Sequence, residues 1–170
     1  MRWNHTFLVG ATRGGGAQPP AAVERFLDGL VPSEADALVA EGGEAELRRA
    51  LELEPGRADA AVPLARILHD RGDRDDALEL LANVSGSFAA DGLAARIRME
   101  DDPDVAAAFA ALDRGDVEAA LDGLIAATGT ATDQDRRDDL RRAVVGILDD
   151  LGVEHPLARE SRRKLAAALY

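Results

Sequence analysis

The chain has 170 residues, with 20 lysines and arginines against 32 aspartates and glutamates and a formal net charge of −12. That balance repels a polyanion, so neither nucleic acid nor an anionic membrane surface is expected as a partner. Cysteine is absent, which excludes a disulfide framework, a thiolate metal site and thiol catalysis by this chain.

Hydrophobic residues make up 46% of the sequence but aromatic residues only 4%. The apolar fraction is therefore mostly alanine and leucine, which favour helix and let helices approach closely, and the expected fold class is all-α. At the N-terminus, Thr6 to Val9 could form one short strand before the flexible connector Gly10 to Gly16. The apolar run Phe7-Leu8-Val9-Gly10-Ala11 is too short for a signal-peptide core or a membrane span, and a cytoplasmic protein is expected. Residues 1–19 read as a disordered or irregular segment.

Pro19-Pro20 opens a helix in which Val23, Phe26, Leu27 and Leu30 recur at the spacing of one helix face. A second short helix starts at Ser33-Glu34-Ala35-Asp36, runs through Leu38 and closes at Gly42-Gly43. These linker helices occupy residues 20–43. A helical domain over residues 44–170 follows. Its first helix is Glu44 to Leu53, with Leu47, Ala50 and Leu51 on one face and Pro55-Gly56 as the stop.

Two segments then repeat one another. Ala61, Leu64, Ala65 and Leu68 mark a helix face, Gly72 breaks it, and Ala77, Leu81 and Val84 mark the next. Val105, Ala108, Phe109 and Leu112 are likewise followed by Gly115 and by Val117, Ala120, Leu121 and Leu124. Both turns read Asp-Arg-Gly-Asp, with Ala-Leu beginning five residues after the glycine. The glycine serves a chain reversal, and the alanine sits where two helices come closest. Such spacing marks tetratricopeptide units, and the expected architecture is a tetratricopeptide-like array of helical hairpins, an α-solenoid. Leu64, Leu68, Ala77, Leu81, Phe109, Leu112, Leu121 and Leu124 are its expected core.

The two glycines stand further apart than the usual repeat of about 34 residues. An extra helix from Ser87 to about Met99, with Leu93, Ala94 and Ile97 on one face, takes up the surplus. After a Gly129-Thr130-Ala131-Thr132 loop, Asp133 caps a helix striped with Leu140, Val144, Ile147, Leu148 and Leu151. The last helix opens near Pro156, turns Leu157, Leu165 and Leu169 inward, and carries Arg159, Arg162, Arg163 and Lys164 against Glu160.

No reactive site emerges from the residues. The glycine-rich connector has neither the Lys-Ser/Thr of a phosphate loop nor dinucleotide-fingerprint spacing. His5, His69 and His155 lack a second histidine at i+3 or i+4, so a helix-borne zinc site is unsupported. Asp70, Asp73, Asp75 and Asp76 have their glycine in the wrong place for a calcium loop and read as a solvated, helix-capping turn. Arg136-Arg137 and Arg141-Arg142 are expected opposite Asp138-Asp139 and Asp149-Asp150 on exposed helix faces. Neither a catalytic residue nor a cofactor is assigned.

The order Glu24-Arg25-Phe26-Leu27-Asp28, then Leu47-Arg48-Arg49-Ala50-Leu51-Glu52-Leu53-Glu54-Pro55, then the Gly72 repeat, then Ser161-Arg162-Arg163-Lys164-Leu165-Ala166-Ala167-Ala168-Leu169-Tyr170 resembles the C-terminal region of the YbbN-type thioredoxin-like co-chaperones, the chaperedoxin family. The resemblance covers about Ala17 to Tyr170. It implies a non-catalytic module that binds unfolded or partly folded clients, a chaperonin or both, with Arg162, Arg163, Lys164, Leu165, Leu169 and Tyr170 as the docking tip. It also makes Pro20 to Leu30 a remnant of the closing helix of a thioredoxin fold. A domain of that kind needs about a hundred residues before its closing helix, so the expectation is a truncated, frameshifted or wrongly started form of a longer protein. Left without its sheet, that helix is expected either to rest on the repeats or to mediate self-association through its apolar face. A tetratricopeptide adaptor for an unrelated partner and a remnant of a thioredoxin-like oxidoreductase are the alternatives. For the last helix, capping of the array stands beside docking.

Overall fold

The computed structural model describes residues 32–169, and among them it contains nine α-helices and no strand. In chain order they are α1 (Glu34–Glu41), α2 (Glu44–Leu53), α3 (Ala58–Asp70), α4 (Arg74–Ala82), α5 (Phe88–Arg98), α6 (Pro103–Asp113), α7 (Val117–Thr130), α8 (Gln134–Leu151) and α9 (Pro156–Leu169). The expected strand at Thr6 to Val9 and the expected helix over Pro20 to Leu30 lie outside the described residues.

The Asp-Arg-Gly-Asp repeat closes two hairpins with one set of backbone bonds. In the first, Gly72 N–H donates to His69 O and Asp73 N–H to Leu68 O; in the second, Gly115 N–H donates to Leu112 O and Asp116 N–H to Ala111 O. This pair of bonds is the Schellman arrangement, which requires the penultimate residue to be left-handed. Gly72 has φ +94° and Gly115 φ +79°, and a Cβ at either would meet nothing within 4 Å. The glycines are there for backbone conformation, not for space. Each second aspartate also begins the next helix, and Asp116 caps it by accepting the Ala119 N–H. Asp73 makes no such cap and pairs with Arg71 at 2.6 Å instead.

Burial follows the apolar spacing. Ala77 and Ala120, each five residues past its glycine, are fully buried, and so are Leu47, Leu121 and Leu124. Two apolar cores result. Leu64, Leu68, Leu81 and Ile97 belong to the first; Val105, Phe109, Leu140, Val144 and Leu165 belong to the second. The extra helix α5 is the wall between them, because it gives Ala94 and Ile97 to one core and Ala95 to the other.

The most extensive helix contact joins α5 to α8. A Cβ on Gly92 would lie 2.9 Å from Gly146 Cα and 3.2 Å from Arg142 O, and a Cβ on Gly146 would lie 2.9 Å from Gly92 Cα and 3.0 Å from Phe88 O. Backbone faces backbone at this crossing, so only glycine fits. A bidentate ion pair clamps the same two helices: Arg98 Nε donates to Asp139 Oδ2 at 2.9 Å and Nη2 to Oδ1 at 2.7 Å.

Four local expectations are corrected. Leu112 is half-buried, because it lies at the open edge of the second hairpin. Val84 is buried but stands beyond the end of α4. The Gly129-Thr130 segment is the last turn of α7, held there because α9 packs across it with Ala168 Cβ 3.6 Å from a Cβ position on Gly129. Arg136 pairs outside its own helix, with Asp102 at 2.8 Å and Asp104 at 3.1 Å at the start of α6.

Candidate functional site

Over the glycine crossing lies a groove of about 300 Å3. On α5, Ala89, Gly92, Leu93 and Arg96 line it at i, i+3, i+4 and i+7, the spacing of a single helix face. On α8, Ala143, Gly146, Ile147 and Leu151 line it at i, i+3, i+4 and i+8, again one helix face. The turn of the second hairpin closes the far wall with Phe109, Leu112 and Val117. The missing side chains at Gly92 and Gly146 therefore serve twice, bringing the helices together and keeping the floor between them low.

The rim is charged. Arg96 lies over the Phe109 ring with its guanidinium carbon 5.5 Å from the ring centroid, and its Nη2 meets Asp113 Oδ1 at 2.6 Å. That arrangement holds the aromatic ring against the core and leaves Arg96 engaged. Arg66 on α3 and Asp150 on α8 also line the groove, both exposed, and neither has a side-chain partner among the described residues. Leu112, expected in the core, is instead part of the groove wall, which explains its partial exposure.

The terminal helix is tied down along one side. Lys164 Nζ pairs with Asp122 at 2.9 Å and with Glu160 at 3.1 Å, which raises its pKa. Arg162 Nη2 donates to Leu148 O at 3.2 Å, one of the last four carbonyls of α8 that have no partner within their own helix. Leu165 is buried. Leu169 is half-buried, Arg163 is exposed without a side-chain partner among the described residues, and Tyr170 lies outside them. Of the expected docking tip, then, Arg162, Lys164 and Leu165 make contacts within the chain, and Arg163 faces outward.

Several other ionisable groups form interhelix ties. Burial opposes ionisation of Asp139, but hydrogen bonds from Arg98 and Arg142 hold its carboxyl below the usual range. Hydrogen bonding from Arg136 does the same for Asp102. His69 meets Glu100, whose other oxygen takes Arg74 at 2.7 Å, joining the first hairpin to the end of α5. Among the described residues, no three histidine, aspartate or glutamate side chains gather to hold a metal ion. No helix among them is long and apolar enough to cross a membrane.

Two models of the tetratricopeptide repeat match the sequence, one over residues 40–98 and the other over residues 89–170. Their overlap falls on α5, the helix that both cores share. No curated protein matches this sequence. Residues 40–170 are a tetratricopeptide region, and the described part of the chain is an all-α helical-repeat array. Repeats of this kind generally mediate protein–protein interaction.

Proposed function

We propose that the chain is a non-catalytic protein-interaction module in which the groove between α5, α8 and the second hairpin turn receives a segment of a partner protein. The observation that carries this reading is the groove itself: an apolar floor at helical spacing on two walls, a charged rim, and a volume suited to side chains. Grooves between helices bind partner segments by shape and apolar contact. The test is the Ile147→Arg variant, which places a charge on the groove wall at a half-buried position. Wild-type protein should suppress light scattering by a chemically denatured model protein on dilution, and Ile147→Arg should lose most of that effect while keeping the helix signal of the wild type in circular dichroism at the assay temperature. Equal suppression by the two proteins would reject the groove as the site.

A finer reading makes the module a co-chaperone that binds unfolded clients, a chaperonin or both, with the chaperonin docking on Arg162, Arg163, Lys164, Leu165, Leu169 and Tyr170. Its support is the resemblance of the segment order and ending to the thioredoxin-like co-chaperones. Arg163 is the residue with which to test it, since its side chain has no partner among the described residues that a substitution would break. Arg163→Glu should abolish chaperonin pull-down without lowering the melting temperature; undiminished capture would reject docking through this face.

A further inference from the structure

We infer that the groove takes a cationic amphipathic helix of a partner protein, its apolar stripe laid on the floor between α5 and α8 and a lysine or arginine at one end set against Asp150. This rests on the groove being the partner site.

Shape comes first. The lining positions on α5 and α8 each follow a single helix face, and the close approach at Gly92 and Gly146 leaves a trough between the side-chain ridges of the two helices. A third helix fills such a trough by packing its own ridge of residues three and four apart into it. An apolar stripe at that spacing is the matching surface, and Leu93, Ile147 and Leu112 are the side chains it would cover.

Charge then selects among amphipathic helices. Asp150 lines the groove at the C-terminal turn of α8, which reads Leu148-Asp149-Asp150-Leu151 and holds no basic residue. The aligned carbonyls of an 18-residue helix already place partial negative charge at that end, and two carboxylates add to it. Arg162 reaches one carbonyl there, Leu148 O, but neither Asp149 nor Asp150 has a side-chain partner among the described residues. A partner cation at this end would offset a charge that the fold itself leaves standing. Arg66 on α3, also a lining residue and also without a partner among the described residues, adds a positive charge to the rim, which suits the negative carbonyl end of the incoming helix. The net charge of −12 favours approach by a basic segment from a distance.

The experiment uses three synthetic peptides of equal length, each with leucines at helical spacing and a fluorescent label. One carries lysines at its N-terminal end, one carries glutamates there, and one carries serines. A fourth peptide keeps the lysines but replaces the leucines by serine. Fluorescence anisotropy with the full chain should give the tightest binding for the lysine–leucine peptide. Asp150→Arg, a change at an exposed helix end that the carbonyls there favour, should weaken that peptide by about five- to tenfold and tighten the glutamate peptide. Equal binding of the lysine, glutamate and serine peptides, or no effect of Asp150→Arg, would overturn the charge inference while leaving the groove as an apolar partner site. Equal binding of the lysine–serine peptide would reduce the effect to charge adsorption and overturn it too. If no leucine-bearing peptide binds, the groove reading falls with it.

Discussion

Small residues decide how closely these helices pack, and three positions give opposite expectations for the same kind of change. Ala77 is fully buried inside the first hairpin, so Ala77→Leu should overpack it and cost about 1–3 kcal/mol in chemical denaturation. Gly92→Ala should also destabilise. The added methyl would lie 2.9 Å from Gly146 Cα and 3.2 Å from a carbonyl oxygen, and backbone there cannot turn aside as a side chain can. The overpacking penalty, about 1–3 kcal/mol, outweighs the gain of about 1 kcal/mol from replacing glycine in a helix. Gly129→Ala should do the reverse. Its methyl would sit 3.6 Å from Ala168 Cβ, an ordinary contact, so the helix-propensity gain stands and the melting temperature should rise. If thermal melts of the two glycine variants shift in the same direction, the α5–α8 crossing is wrongly described. Sequence spacing revealed Gly72, Gly115, Ala77 and Ala120 because each acts within its own hairpin. Gly92 and Gly146 gave no such signal: the partner of each is more than fifty positions away, and only the folded chain brings them together.

At the scale of the helix, α9 closes the second core. Leu165 is buried against it, so Leu165→Ala should cost about 2–3 kcal/mol, whereas Arg163→Glu on the outer face should leave stability unchanged within about 0.5 kcal/mol. Urea denaturation of the two variants measures the difference. The inward turn of Leu165 was legible from the apolar stripe of the last helix. Glu160, four residues before Lys164 on the same helix, was legible too; the contact of Arg162 with α8 and that of Lys164 with Asp122 on α7 were not, since no local spacing points to them. The sequence also points to a helix from Ser87 to about Met99 that lengthens the repeat. Its role as the shared wall of two cores came from the fold, which buries Ala94 and Ile97 on one side and Ala95 on the other.

Across the whole molecule, carboxylates held by arginines link helices that are distant in sequence. Asp139 between Arg98 and Arg142, and Asp102 beside Arg136, both have pKa values lowered by folding. A lowered folded-state pKa means that the stabilisation is fully present above the unfolded value of about 4 and is lost as pH falls through the folded value. The melting temperature should therefore be flat near neutrality and fall as pH drops below about 4. Asp139→Asn should start lower at pH 7, because Arg98 loses its charged partner, and should fall less steeply on acidification. Parallel pH profiles for the two proteins would show that Asp139 makes no contribution of this kind.

What the sequence determined by itself is local: an all-α fold over the described residues, helix limits set by caps, glycine and proline, and a hairpin turn written twice as Asp-Arg-Gly-Asp. These follow from backbone conformation and from apolar periodicity, which act over a few residues and can be read from one segment at a time. What only the tertiary structure decided is the joining of the hairpins. The glycine crossing of α5 and α8, the groove above it, the pairing of Arg98 with Asp139 and the ties of α9 all depend on which distant faces meet. That choice is made by shape and apolar burial over the whole core, and no local pattern in the sequence encodes it.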